Sequence, residues 1–234
     1  MENLILLPGL ACDAAMYAGQ LPALATRHNV HVADAHQRCA TLHEMAAALL
    51  REQPGELVLI GASMGGMIAL EMLRQAPARV RALALLGTTA RPDAAETIEL
   101  RRKACELYGA GRMDEVLRAN LLFAFHPVEV RDKALVDAYL QMLRRAGPKQ
   151  LIAQNRAVMV RADLRPLLPQ IRCPTLVACG EADGLTPASE SRAMAEAIPG
   201  ARLEIVAGAG HMLTMEQPAR VTALLLHWLA EIRL

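Results

Sequence analysis

Glu56-Leu-Val-Leu-Ile-Gly-Ala-Ser-Met-Gly-Gly66 is the stretch on which the fold turns. Glu56–Gly61 carries a short, unbroken apolar run, the pattern of a strand buried on both faces. Met64–Gln75 follows at once with helical character and must stop before Pro77. A strand that meets a helix this abruptly leaves Ser63 at the apex of a strained turn. Gly61 and Gly65 stand two positions to either side, where larger side chains collide, and Gly66 lets the helix pack close to the sheet. Gly-x-Ser-x-Gly in a strand–turn–helix setting is how a serine nucleophile is presented. The helix N-terminus beneath it adds N–H groups and a positive dipole end for developing negative charge. The alternative is a glycine-rich turn that merely holds a serine. The chain has only three serines (Ser63, Ser189, Ser191), which argues against chance placement at this turn.

Outward from the turn, strand-like runs alternate with helical patterns, which predicts a mostly parallel sheet with helices on both faces. The runs are Leu4–Leu7, Val30–Ala33, Arg81–Leu86, Pro174–Cys179 and Arg202–Val206. Thr41-Leu-His-Glu44 reads as a capping box opening a helix through Leu50, and Pro218–Ile232 reads as a closing amphipathic helix. Residues 91–165 break the rhythm, with helical patterns at Ala94–Tyr108, Met113–Phe123, Val128–Arg145 and Lys149–Val160 and no strand. The expected organisation is a core of residues 1–90 and 166–234 with a helical cap, 91–165, inserted before the acid-bearing strand.

A serine hydroxyl needs a neighbouring base, and the base an orienting carboxylate. His211 lies in Gly208-Ala-Gly-His211, after the last strand and before the last helix, which places it over the edge where Ser63 emerges. The other six histidines have plainer readings. His43 falls in the capping box and His227 within the last helix, while His28, His31, His36 and His126 read as solvated or structural. His28 and His31 have no His-Glu-x-x-His or Cys/His cluster around them, so no metal site is expected. Asp183, in Gly180-Glu-Ala-Asp-Gly184 at the end of another strand, is the candidate acid, and Glu181 is its rival. Thr186-Pro187 reads as the N-cap and first turn of the next helix. The two N–H donors that an oxyanion requires are expected from Met64, just after the nucleophile, and from Leu10 in the Pro8-Gly9-Leu10 turn.

Composition excludes several classes. An apolar fraction of 53% argues against disorder. Lys+Arg 25 against Asp+Glu 24 leaves no field to attract nucleic acid or an anionic membrane. MENLILLPGL lacks a basic n-region and reads as a strand and its turn rather than a leader, and no run is long enough to span a bilayer. Five cysteines, odd in number and without ligand spacing, read as reduced thiols. A cytoplasmic protein, monomer or homodimer, is expected.

Together these motifs resemble the α/β-hydrolase superfamily, especially its small cytoplasmic esterases and enol-lactonases. LLPGL is similar to the first strand and oxyanion turn, GASMGG to the nucleophile elbow, CGEADGLTP to the acid turn and GAGHMLTMEQP to the histidine loop. The resemblance spans nearly the whole chain. It implies a Ser63–His211–Asp183 triad that cleaves a small ester, thioester or lactone through an acyl-enzyme and needs no cofactor. Carbon–carbon bond hydrolases, cofactor-free perhydrolases and ligand receptors share the pattern. Two departures stand out. The family's His-Gly at the oxyanion turn is Pro8-Gly9 here, so that histidine's bracing contacts must come from elsewhere. The family's Asp-x-x-Gly-His-Gly turn is reduced to Asp34-Ala35-His36-Gln37, which implies a more open flank. The opening strand resembles the family's third, implying a sheet with fewer strands at one edge. The cap carries 14 Lys and Arg against 10 Asp and Glu, a hint of an acidic substrate, and holds Tyr108, Phe123, Phe125 and Tyr139 as candidate pocket or packing residues.

Overall fold

The computed structural model describes residues 2–232. Its strands are β1 (Asn3–Leu7), β2 (Asn29–Val32), β3 (Leu57–Ala62), β4 (Val80–Leu86), β5 (Thr175–Gly180) and β6 (Arg202–Val206). They form one sheet in the order β2-β1-β3-β4-β5-β6, and each neighbouring pair is parallel. The helices are α1 (Leu21–Ala25), α2 (Leu42–Glu52), α3 (Met64–Gln75), α4 (Ala95–Gly109), α5 (Met113–Ala124), α6 (Lys133–Met159), α7 (Ala188–Ala197), α8 (Leu213–Glu216) and α9 (Pro218–Glu231).

Side chains alternate along a strand, so each strand feeds two cores. Leu4, Leu6, Val58 and Ile60 meet Leu225 and Trp228 of α9 on one face. Ile5, Leu7, Leu57 and Leu59 meet Met45 and Leu49 of α2 and Ile68 and Met72 of α3 on the other. Each fully buried Leu or Ile contributes roughly 1.5–3 kcal/mol, so these two layers dominate the stability of the fold. The capping box of α2 forms in full: Thr41 Oγ1 accepts from the Glu44 N–H at 3.1 Å, and the Glu44 carboxylate accepts from the Thr41 N–H at 3.1 Å. Among the described residues, no helix is long and apolar enough to cross a membrane.

The strand order sets the position of the site. From β1 the chain moves outward to β2 and then returns to place β3 on the other side of β1. The connections leaving the carboxyl ends of β1 and β3 therefore diverge, opening a crevice of the kind in which parallel sheets bind ligands.

Between β4 and β5 the chain is helical, from α4 to α6. The two ends of this segment are tied together, the Leu164 N–H donating to Ala90 O at 2.8 Å and Arg161 Nη2 to Arg91 O at 2.7 Å. One boundary differs by more than a residue or two from those the periodicity predicts, while the break expected between Arg145 and Lys149 is present. The helix expected from Val128 begins at Lys133, because Asp132 caps it by accepting from the N–H groups of Ala134 (2.9 Å) and Leu135 (3.1 Å). Residues Glu129–Arg131 instead make one tight 3-10 turn. Further on, α6 kinks at Gly147, whose φ of 74° lies outside helical space and ends one straight stretch before Pro148 opens the next.

Candidate active site

Ser63 sits at the carboxyl end of β3 with φ 53° and ψ −120°, a conformation a non-glycine residue holds only under constraint. The constraint is visible on both sides of the turn. Ser63 N–H donates to Leu86 O of β4 at 2.8 Å, and Ser63 O accepts from Thr88 Oγ1 at 2.7 Å. A Cβ on Gly61 would lie 2.4 Å from Gly65 O, and one on Gly65 only 1.9 Å from Leu7 O at the end of β1. The two glycines are what allow the turn to close and α3 to approach β1.

His211 and Asp183 arrive from the ends of β6 and β5. Their loops come close because Gly180 has no side chain; a Cβ there would strike Gly210 O at 2.1 Å. His211 Nε2 lies 2.9 Å from Ser63 Oγ, and His211 Nδ1 lies 2.9 Å from each Asp183 carboxylate oxygen. With Nδ1–H donating to the carboxylate, Nε2 is left as the acceptor for the serine hydroxyl. Asp183 is buried and fully engaged. Its Oδ1 accepts from the N–H groups of Leu185 (2.9 Å) and Thr186 (2.8 Å), and its Oδ2 from Thr186 Oγ1 at 2.9 Å. Thr186 thus serves the carboxylate. It does not cap α7, whose N-cap position is Pro187 with no side-chain bond. Rival Glu181 points away and accepts from the Gly208 N–H at 2.6 Å.

Burial disfavours both charged forms, yet their mutual attraction prevails. Asp183 is held below the usual carboxylate range, because the His211 charge and hydrogen bond and the Thr186 donors outweigh desolvation. For His211, burial alone would lower the pKa, but the Asp183 charge and hydrogen bond lift it above the ordinary histidine value. Cys12 lines the same cavity but is no competing nucleophile. Burial, with the nearby Asp13 charge, pushes its thiol up to about 12, so it stays protonated at neutral pH.

The turn after β1 is braced from a distance. Ala11 adopts φ 58°, and its N–H donates to Gln154 Oε1 of α6 at 2.6 Å. Gln154 Nε2 donates to His36 O at 2.9 Å, and His36 Nε2–H donates to Cys12 O at 2.8 Å. Tyr17 Oη lies 2.9 Å from Leu7 O and 3.2 Å from Ile60 O, pinning the ends of β1 and β3 together. These groups brace the Pro8-Gly9 turn without a histidine in it. They also correct one expectation: the Asp34–Gln37 flank is closed, with His36 buried beneath α6. No motif marks Gln154. Its signal was a polar residue in helical step with the buried Leu151 and Val158. Leu10 and Met64 line the cavity beside Ser63, and neither N–H has an acceptor among the described residues.

The cavity measures about 510 Å³, within the range of small-molecule sites. Its floor is Ser63, His211 and the β1 turn; its walls come from α4, α5 and α6, including Tyr108, Phe123 and Tyr139. Phe125 packs edge-on against Tyr139, with ring centroids 5.1 Å apart, and is buried rather than lining. The helical segment is stitched to the site itself. Phe123 O and Ala124 O, orphan carbonyls at the end of α5, accept from the N–H groups of Gly184 and Met212 at 3.1 Å each. Buried Glu216 joins the same seam, accepting from the N–H groups of Gly210 (2.9 Å) and His126 (2.7 Å). Among the described residues, no group of three or more His, Cys, Asp or Glu side chains is placed to hold a metal.

A model of the Hydrolase_4 family, described as serine aminopeptidase S33, matches residues 19–218. The pimeloyl-[acyl-carrier protein] methyl ester esterase of Nitrosomonas europaea is 28% identical over 223 residues, covering 89% of this chain and 88% of the relative. A protein of Azorhizobium caulinodans, named as a candidate carbamate hydrolase (RutD), is 26% identical over 98% of this chain and 91% of its own. Among solved structures, a thermophilic esterase from Thermogutta terrifontis with malate bound superposes with a TM-score of 0.91. It is 29% identical, and the match covers 100% of this chain and 91% of that one.

Proposed function

The chain belongs to the Hydrolase_4 family within the α/β-hydrolase superfamily, and from that membership we propose a serine hydrolase that cleaves a small carboxylic ester, thioester or lactone. The observation that carries this reading is the continuous relay from Ser63 Oγ through His211 to Asp183, opening into a cavity walled by α4, α5 and α6.

In this scheme His211 Nε2 takes the proton of Ser63 Oγ as the hydroxyl attacks the substrate carbonyl. Asp183 keeps the imidazole in the productive tautomer and stabilises the imidazolium. The N–H groups of Leu10 and Met64 receive the oxyanion, a service that in other acyl-transfer sites is worth ~10²–10³ in kcat per donor. The imidazolium then returns its proton to the departing alcohol or thiol. Water deprotonated by His211 attacks the acyl-enzyme and releases the acid, regenerating the Ser63 hydroxyl. Side chains and water handle every proton and electron pair. Helices α4–α6 act as the cap of this site, excluding bulk water and shaping the pocket.

The test is hydrolysis of p-nitrophenyl esters across acyl lengths by wild type, Ser63→Ala and His211→Ala, with an active-site phosphonate as a label. Activity and labelling in wild type, both lost on Ser63→Ala, is the expected result. Full ester hydrolysis by Ser63→Ala would overturn the assignment. Labelling without ester turnover would redirect the same triad to a carbon–carbon bond, a carbamate or a peracid. Neither labelling nor turnover would leave a ligand receptor.

A further inference from the structure

One charged side chain enters the cavity without a part in the hydrolysis scheme. Arg101 lies on the face of α4 that lines the cavity, in helical step with Thr97, Ala104 and Tyr108. Its guanidinium is held on two sides. Nε donates to Asp93 Oδ2 at 2.7 Å and Nη1 to Asn155 Oδ1 at 2.9 Å, while Asn155 Nδ2 donates to Leu151 O at 2.8 Å and so cannot flip. Asp93 is not Arg101's alone. Its Oδ1 accepts from Arg161 Nη2 at 2.9 Å, and the Asp93 and Arg161 side chains are only 7% and 5% exposed. Arg161 is sufficient to neutralise the carboxylate. Two guanidiniums on one carboxylate leave a surplus positive charge, and Arg101, at 26% exposure, is the member that faces the cavity.

Nη2 of Arg101 donates to no group among the described residues, and the cavity lining contains no Asp, Glu or Lys, so Arg101 carries its one permanent charge. Most of the lining is apolar, with Val116, Leu117 and Leu143 among its residues. A guanidinium locked at Nε and Nη1 presents its remaining N–H groups as a preorganised edge, the arrangement that accepts a carboxylate through charge-assisted bonds. A low-dielectric wall strengthens that attraction relative to water.

We propose that Arg101 is the substrate-anchoring residue of this pocket, and that the substrate is an ester or lactone bearing a free carboxylate, such as a half-ester of a dicarboxylic acid. The carboxylate pairs with Arg101 while the scissile carbonyl lies at Ser63. This assignment of substrate class rests on the serine hydrolase reading. Arg101 is a specificity residue and takes no part in the bond-breaking steps.

The experiment compares mono-p-nitrophenyl glutarate with its neutral methyl ester, in which one methyl group removes the distal charge. The expected result is a kcat/KM ratio of at least tenfold in favour of the acid for wild type, expressed mainly in KM. The ratio falls tenfold or more in Arg101→Gln, is largely kept by Arg101→Lys, and shrinks in high salt. Equal kcat/KM for acid and methyl ester in wild type, or an unchanged ratio in Arg101→Gln, would overturn the anchor. A calorimetric titration of Ser63→Ala with monomethyl glutarate separates the two readings. Binding that disappears in Ser63→Ala/Arg101→Gln supports the anchor even where no ester turns over, in which case the hydrolase reading alone fails. Titration with no heat of binding in Ser63→Ala sinks the anchor and leaves the triad standing.

Discussion

The turns after β1 and β3 lie side by side on the cavity floor and are built in opposite ways. The β3 turn is made locally. Gly61, Ser63 and Gly65 lie within five residues, and the absent side chains of the two glycines let the chain close. The β1 turn is made from afar. Ala11 holds its left-handed conformation against Gln154, which is 143 residues away, and Cys12 is held by His36, which Gln154 also grips. A turn of this kind is written in adjacent residues, and Leu86, Thr88 and Leu7 then hold it in place. A turn braced from a distance ties its geometry to the helices that supply the brace, here α6.

That contrast can be broken most severely at Gly65. In Gly65→Val the new side chain meets the Leu7 backbone oxygen, which cannot move without displacing β1. Loss of the cooperative thermal transition is expected, and a variant melting like wild type would refute the need for a glycine where α3 meets β1. Asp183→Asn sharpens the same comparison from the base side. By analogy with other triads kcat drops by ~10⁴-fold with the fold intact, and a loss below tenfold would remove Asp183 from the relay. Gln154→Leu breaks the remote brace, stranding the Ala11 N–H and the His36 carbonyl oxygen. The cost is roughly 2 kcal/mol and a Tm lower by ~4–8 °C. Because the proposed Leu10 donor belongs to the same turn, kcat should also fall by about 10–100-fold with little change in KM. A drop in Tm with kcat untouched would make Gln154 a purely structural residue. The smallest effect is in pH. As the proposed base, His211 acts only when neutral, and Asp183 favours its charged form, so the acid limb of kcat/KM should have its midpoint above the ordinary histidine value of ~6.5. Removing the negative charge in Asp183→Asn should move that midpoint down; a midpoint that stays put would detach the limb from the pair.

Much of the core was legible because its signals are short-range. The strands observed lie within a residue or so of the apolar runs, since short unbroken runs and flanking Gly or Pro mark them in the chain itself. Ser63, Asp183 and His211 could be grouped because each follows a strand at the same sheet edge, and the structure brings them within hydrogen-bond distance. The helical segment was less legible. Val128–Asp132 has helical composition, but the Asp132 cap and the His126–Val130 turn override it. Thr186-Pro187 has the look of a helix start, but the Thr186 hydroxyl finds a stronger acceptor in the Asp183 carboxylate.

By itself the sequence determined the strands of the sheet, the strained serine turn and the three residues that meet over it. Apolar periodicity, glycine placement and turn chemistry all act between near neighbours. The tertiary structure alone decided that Gln154 and His36 brace the β1 turn, that the flank beside His36 is shut, and that Arg101 enters the cavity with charge to spare. Those outcomes depend on which buried polar groups find partners, and the partners lie scores of residues apart along the chain.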